Sequence, residues 1–290
     1  MRLGLNSTTF KEGALAKHWG EKTLKKMKEF GFSCVDNGML FYPAFYALDA
    51  ETRKELLLQE KRLADEAGLI INQAHGPVIS LPRALTEEER TGLLENIKIA
   101  IEGCTYLGCE YLVVHPFMPN GWSDRKCAIA KDTFEKNVSY LKMLGEYAEK
   151  YGITLCLENM PCTGFSISTP EEVMEVVKAV DRDNVKICLD TGHIPAFSRQ
   201  LQVGPEIRKC GDLIKVLHVH DNWGATDQHN FTGFGIIEWG DVMAALREIN
   251  FDGVFSLELV FPQECSTPVF EQACRLAFNL ANEIANGTKA

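Results

Sequence analysis

The sequence predicts a single α/β domain spanning residues 1–290, a (β/α)8 TIM barrel. Three observations predict it. Short β-branched or apolar runs alternate eight times with amphipathic stretches. No segment reads as linker or low-complexity sequence. The last four strand-like runs share one side-chain parity, with larger apolar residues on one face and small or polar residues on the other. An open doubly wound sheet would want a Gly-rich phosphate loop after its first strand, and LGLNSTTFKEG is not one.

In chain order the strands are expected at residues 3–7, 33–37, 69–75, 111–115, 154–158, 185–190, 214–220 and 253–258. Helical periodicity is clearest over 24–30, 52–67, 87–107, 132–151, 171–179, 205–210, 239–249 and 269–285. Gly31, Gly68, Gly108 and Gly152 stand where helices should stop, because glycine accepts the left-handed conformation that closes a helix. Thr169-Pro170-Glu171-Glu172 is a helix start, with a hydroxyl at the cap and proline at the first position. In the fifth to eighth strands Thr154, Cys156 and Glu158, then Lys186, Cys188 and Asp190, then Val216, His218 and His220, then Val254, Ser256 and Glu258 should face the barrel axis. Leu155 and Leu157, Ile187 and Leu189, Leu217 and Val219, and Phe255 and Leu257 should face the helices.

Composition sets the class. With 46% apolar and 24% charged residues the chain can bury a large core. Its start, MRLGLNSTTF, is no signal peptide, and nowhere do 18 apolar residues run together, so a cytoplasmic protein without membrane partners is expected. Ten scattered cysteines without a CxxC pair read as reduced, mostly buried thiols. A formal charge of −10 opposes nonspecific attraction to nucleic acid.

Barrel enzymes carry their chemistry where strands end and βα loops begin. Those ends hold His75, His115, Glu158, Asp190, His193, His220, Asp227, His229 and Glu258, which include five of the seven histidines. Four carboxylates and five imidazoles on one rim would repel one another and lose hydration, and a cation relieves both. Imidazole with carboxylate suits Zn, Mn or Co better than Ca.

The segments LENMP, CLDTGH, LHVHDN and LEL, in this order at successive strand ends, resemble the xylose-isomerase-like TIM-barrel superfamily. That group holds sugar isomerases and epimerases together with endonuclease IV-like enzymes. The resemblance spans nearly the whole chain and implies two site models. In the isomerase or epimerase model one divalent ion (Zn, Mn, Co or Mg) is held by Glu158, Asp190, His220 and Glu258. Glu158 and Glu258 act as the catalytic acid/base pair alpha to a carbonyl, through a metal-stabilised ene-diolate. His193 and Trp223 would bind substrate, and His218 would be packing one layer below. In the endonuclease-like model up to three zinc ions share the nine groups. His75, His115 and Glu158 would hold the first, and Glu158, Asp190, His220 and Glu258 the second. His193, Asp227 and His229 would hold the third, for phosphodiester hydrolysis. A metal barrel that binds carbohydrate without catalysis is the third alternative.

Loop composition favours a neutral sugar or cyclitol over nucleic acid. The loops at 38–50, 159–170, 221–239 and 259–268 contain no Lys or Arg, whereas nucleic-acid affinity rises steeply with the number of phosphate contacts. Lys11, Arg83, Arg125 and Arg199 are the main cations expected near the rim. Aromatic residues crowd there instead: Phe41, Tyr42, Phe45, Tyr46, Phe117, Trp122, Phe165, Phe197, Trp223, Phe231 and Phe234. Ketose 3-epimerases carry an Arg shortly after the seventh-strand histidine, and residues 221–230 have none, which separates the chain from that subgroup. The resemblance is compatible with a homo-oligomer.

Overall fold

Eight parallel strands carry the molecule. They are β1 (Arg2–Asn6), β2 (Cys34–Asn37), β3 (Ile70–His75), β4 (Tyr111–Val114), β5 (Thr154–Glu158), β6 (Val185–Asp190), β7 (Ile214–His218) and β8 (Val254–Leu257), paired in the order β7-β6-β5-β4-β3-β2-β1-β8. The computed structural model describes residues 1–7, 22–79, 81, 83–121, 130–262 and 264–287. Lys11, Trp122 and Arg125 lie outside the described residues. Closure between β7 and β8 runs through Val219 just beyond β7: its N–H donates to Ser256 O at 2.8 Å and its carbonyl accepts from Glu258 N at 3.1 Å. The outcome is a TIM barrel, as the alternation predicts.

Helices Thr23–Phe30, Ala50–Ala67, Glu87–Leu107, Ala130–Glu149, Pro170–Val180, Val203–Cys210 and Trp239–Glu248 connect the strands, and Thr267–Asn286 follows β8. Gly31, Gly68 and Gly108 cap three of them in the left-handed conformation, and Gly152 also has positive φ. At Thr169 the expected start is a full capping box, the Thr side chain accepting from Glu172 N while Glu172 reaches back to the cap N–H. Short helices at Pro43–Tyr46 and His193–Phe197 are additions that a 3.6-residue pattern is too brief to reveal.

Strand parity places two cores. Leu155, Leu157, Ile187, Leu189, Leu217, Val219, Phe255 and Leu257 pack with the helices in the outer core. Val113, Cys156, Cys188 and Val216 form a separate small cluster inside the barrel. In β3 simple alternation is broken. Val35 pairs with Ile71 but Asp36 pairs with Gln73, so Asn72 is an extra residue. The bulge lets Ile71 pack outward while Gln73 reaches across the interior to Leu217 O at 3.4 Å, and it keeps His75 in phase with Gln73. The nine described cysteines are all unpaired, and Cys34, Cys156 and Cys188 are buried. No described helix is long and apolar enough to cross a membrane.

Candidate metal centre

The carboxyl ends of β2 to β8 and the loops after them converge on one buried polar cavity. Glu158 closes β5, Asp190 closes β6, His75 closes β3 and His218 closes β7, while Glu258 follows β8 directly. All five side chains are buried. Together with four residues of the following loops they offer ligand-capable atoms in three groups, each within 4.8 Å: His75, Glu158 and His218; Glu158, Asp190, His218 and Glu258; and His193, His220, Asp227 and His229. His115 joins the first, its Nε2 lying 3.2 Å from Glu158 Oε2 and 3.1 Å from His75 Nε2. All nine expected groups are therefore at the cavity.

The two histidines of LHVHD exchange places relative to the sequence reading. The register pairs Asp190 with His218, and β7 ends there. His218 is thus level with the carboxylates, its Nδ1 2.9 Å from Glu158 Oε1 and 3.0 Å from Glu258 Oε2. It is not packing one layer below. His220 stands beyond the strand, outside the central group. Its Nε2 is 3.0 Å from Asp190 Oδ1, and its ring stacks on His229 with centroids 3.9 Å apart. Alternation gives both residues the same face; only the strand's end decides their layer.

Local folding holds these rings. His193 Nδ1 donates to Asn159 O at 2.6 Å, His75 Nδ1 to Gly76 O at 2.9 Å, His229 Nδ1 to Glu258 O at 2.9 Å and His220 Nδ1 to Asp221 O at 3.3 Å. A carbonyl oxygen only accepts, so each Nδ1 carries a hydrogen and Nε2 is the ring nitrogen left facing the cavity. Asn159 braces Asp190 by accepting from its N–H at 2.8 Å and donating to its carbonyl at 3.0 Å. Asp221 organises the following loop, accepting from Asn222 N, Ile237 N, Gly233 N and Trp239 Nε1 at 2.8–3.2 Å, which commits both of its oxygens. His229 is held at φ +50°, a conformation that costs about 1 kcal/mol or more in a non-glycine residue and clusters at functional sites. Gly192 lets the loop pass His220: a Cβ there would lie 2.0 Å from His220 Cε1.

Electrostatics follow from this crowding. Burial alone would raise Glu258, but the His218 imidazole beside it outweighs that and holds its pKa at about 2. Burial opposes ionisation of Glu158 too, yet His218, His115 and His75 keep it well below the usual carboxylate range. Burial works against charge on His218, and its pKa still stands well above normal. Neighbouring Cys188 is itself held neutral by burial, so Glu258 and Glu158 are the cause. Against the same burial Asp227 brings His229 to about 8, and Asp190 with Asp227 raises His193. At His115 burial prevails and the pKa falls.

A divalent cation fits these residues. Glu158 Oε2 is buried without a hydrogen-bond partner, and one ligand atom from each of Glu158, Asp190, His218 and Glu258 lies within 4.8 Å of the others. Nitrogen and oxygen donors without thiolate suit Zn, Mn or Co.

The rim is aromatic only in part. Phe45, Phe117 and Phe165 are buried in the core, whereas Phe41 meets the His75 ring edge-on at 4.9 Å. Trp223 and Phe234 are half exposed. Trp223 is tied to its loop through its N–H to Gln228 Oε1 at 2.8 Å, and no ring contact joins it to the cavity histidines. The described rim cations are engaged: Arg83 with Glu89 at 2.7 Å, and Arg199 with Trp223 O at 2.6 Å. Asp36, absent from the expected set, is buried beside the site on β2. The signal that could have found it is the same as for the others, a carboxylate near a strand's carboxyl end.

Comparison with known proteins agrees with this architecture. The family model described as "Xylose isomerase-like TIM barrel" matches residues 24–274. An uncharacterized protein of Methanocaldococcus jannaschii is 32% identical over 261 residues, 89% of this chain and 83% of its own. Inosose isomerase of Bacillus subtilis is 29% identical over 61% of this chain, and the match spans 63% of that relative's length. A solved D-tagatose 3-epimerase-like protein superposes with a TM-score of 0.74 at 27% identity, covering 100% of both chains.

Proposed function

The chain belongs to the xylose isomerase-like TIM-barrel family, and from that premise we propose that it is a metal-dependent isomerase or epimerase of a neutral sugar or cyclitol. The observation that carries the reading is the central group. Glu158, Asp190, His218 and Glu258 meet within 4.8 Å, with both glutamates directed at one imidazole. Glu158, Asp190, His218 and Glu258 would hold the ion, and His218 replaces His220 in that role. When bound, the cation supplies a Lewis acid for a carbonyl and its neighbouring hydroxyl oxygen.

The chain's own residues do the rest. Glu158 and Glu258 are ionised, so either can accept the proton alpha to the carbonyl, and the carboxylic acid so formed on that residue is the group that returns it. Their strands lie three places apart around the barrel, which separates the directions of approach. Asp190, braced by Asn159, holds its position without moving a proton. His193, fixed through Nδ1, offers Nε2 to a substrate oxygen. Trp223 would form an outer wall of the mouth. Loops poor in Lys and Arg, with Arg83 and Arg199 already engaged, support an uncharged polyol over a phosphate ester. The inosose isomerase and epimerase-like relatives point the same way.

The test is solvent exchange. Ketoses and inososes incubated with the Zn-, Mn-, Co- or Mg-loaded enzyme in D2O should gain deuterium alpha to the carbonyl, read by NMR, and Glu158→Gln and Glu258→Gln should each abolish the gain while the circular dichroism of the barrel is retained. Full exchange in either variant refutes the acid/base assignment.

A second reading has its own observation. All nine expected groups reach the cavity, and the third group, His193, His220, Asp227 and His229, is as compact as the central one. Three ions per chain together with cleavage of an abasic-site duplex at low salt would favour phosphodiester hydrolysis. Sugar binding without exchange would leave the non-catalytic carbohydrate-binding barrel.

A further inference from the structure

His218 is oriented differently from the other braced histidines of the cavity. His75, His193, His220 and His229 hand Nδ1–H to a backbone carbonyl and turn Nε2 toward the cavity. His218 turns Nδ1 to Glu158 and Glu258, and its Nε2 lies 3.1 Å from Asp36 Oδ2. Asp36 comes from β2, fully buried, and its Oδ2 also accepts from Asn6 Nδ2 at 3.1 Å. Asp36 Oδ1 and His218 Nε2 are both buried without a hydrogen-bond partner, and the 3.1 Å approach of Oδ2 puts a carboxylate beside that nitrogen. A buried carboxylate with an unmatched oxygen costs stability and contributes nothing to packing.

Proton bookkeeping gives the pair a use. Neutral imidazole carries one N–H. If the Nδ1 lone pair serves a cation, the hydrogen must sit on Nε2, and Asp36 is the acceptor within reach. We propose that Asp36, held by Asn6, is a positioning residue that fixes His218 with Nε2–H toward itself and the Nδ1 lone pair toward Glu158, Asp190 and Glu258. A charged acceptor increases the basicity of the ring more than the neutral carbonyls behind the other histidines. The position served by His218 is therefore the tightest cation position in the cavity and fills first. This rests on the metal-dependent reading above.

The experiment measures zinc alone, by competition with a chromogenic chelator on the full-length protein. It compares wild type, Asp36→Asn, His218→Gln and the double variant, with Co2+ absorption spectra of each. Asp36→Asn should weaken the tightest zinc equivalent by about 10–100-fold and shift the cobalt bands, with weaker equivalents unchanged. The double variant should lose no more than His218→Gln, because Asp36 acts through that ring. Wild-type affinity and spectrum in Asp36→Asn, or additive losses in the double variant, overturn the proposal and leave the metal reading standing. A wild type that binds no zinc overturns the metal reading itself, and this proposal with it. If Asp36→Asn fails to fold by circular dichroism, Asp36→Glu carries the same test: it keeps the charge and should retain wild-type order of filling, and random filling overturns the proposal.

Discussion

Gly192→Ala isolates the packing of the third group from everything else. Gly192 has φ −78° and ψ −27°, a conformation alanine adopts freely, so backbone strain contributes nothing. The added Cβ would lie 2.0 Å from His220 Cε1 and 2.1 Å from Nδ1, where ordinary contact begins at 3.4 Å. The ring must therefore retreat by about 1.4 Å. The ring is already stacked on His229 with centroids 3.9 Å apart, and its Nε2 is 3.0 Å from Asp190 Oδ1, so a shift of that size disturbs the stack or the carboxylate contact. Overpacking of this kind costs about 1–3 kcal/mol, or a fall in Tm of roughly 2–5 °C for a domain of this size. Scanning calorimetry of metal-free protein measures it, and metal analysis should show the third group impaired. A Gly192→Ala protein that melts at or above the wild-type temperature refutes the reasoning.

Turnover in Glu158→Gln and Glu258→Gln should drop by at least about 10²–10⁴-fold, measured as deuterium exchange against a folded control. Trp223→Ala should raise KM with little change in kcat, because the ring is half exposed and remote from the reacting groups; an equal loss in kcat would place it at the chemistry. Chelation should lower Tm and metal re-addition should restore it, rising with the logarithm of the free ion concentration; an unchanged melting curve argues against a cation bound to the folded state. The Arg83–Glu89 pair holds the Glu89 carboxyl at about 2, below its ordinary 4.5. Its contribution is then present above pH 4.5 and lost as pH falls toward 2. Glu89→Gln should melt below wild type at pH 7 and converge with it in acid, and a gap independent of pH would exclude the ion pair as its source.

The barrel was legible because burial on both sides of each strand writes itself as alternation plus helical periodicity. β5 and β6 fall at the expected residues, and the other strands differ from expectation by at most two residues at an end. The site was legible because strand ends in a parallel barrel share one face. What stayed hidden depends on contacts between strands. Nothing local distinguishes His218 from His220, which have the same residue type and parity; the pairing of Asp190 with His218 does. The extra residue Asn72 shows only once β2 and β3 are paired. Asp36 in CVDNG is visible as a carboxylate near a strand end, but its pairing with His218 across the barrel is not. Several rim aromatics proved to be core, because loop composition does not say which rings turn inward.

The seam through Val219 binds the last part of the fold to the chemistry. That residue's two hydrogen bonds join β7 to β8 between His218 and His220, and one of them holds the backbone of Glu258. A slip of one residue at this seam would turn Val219 inward and both imidazoles out. Cylinder and site are thus completed by the same event: a chain that has not stitched its final strand has no fourth donor to offer. An ion captured there would act as a rivet on the entire cylinder, resisting global unfolding rather than the fraying of one loop.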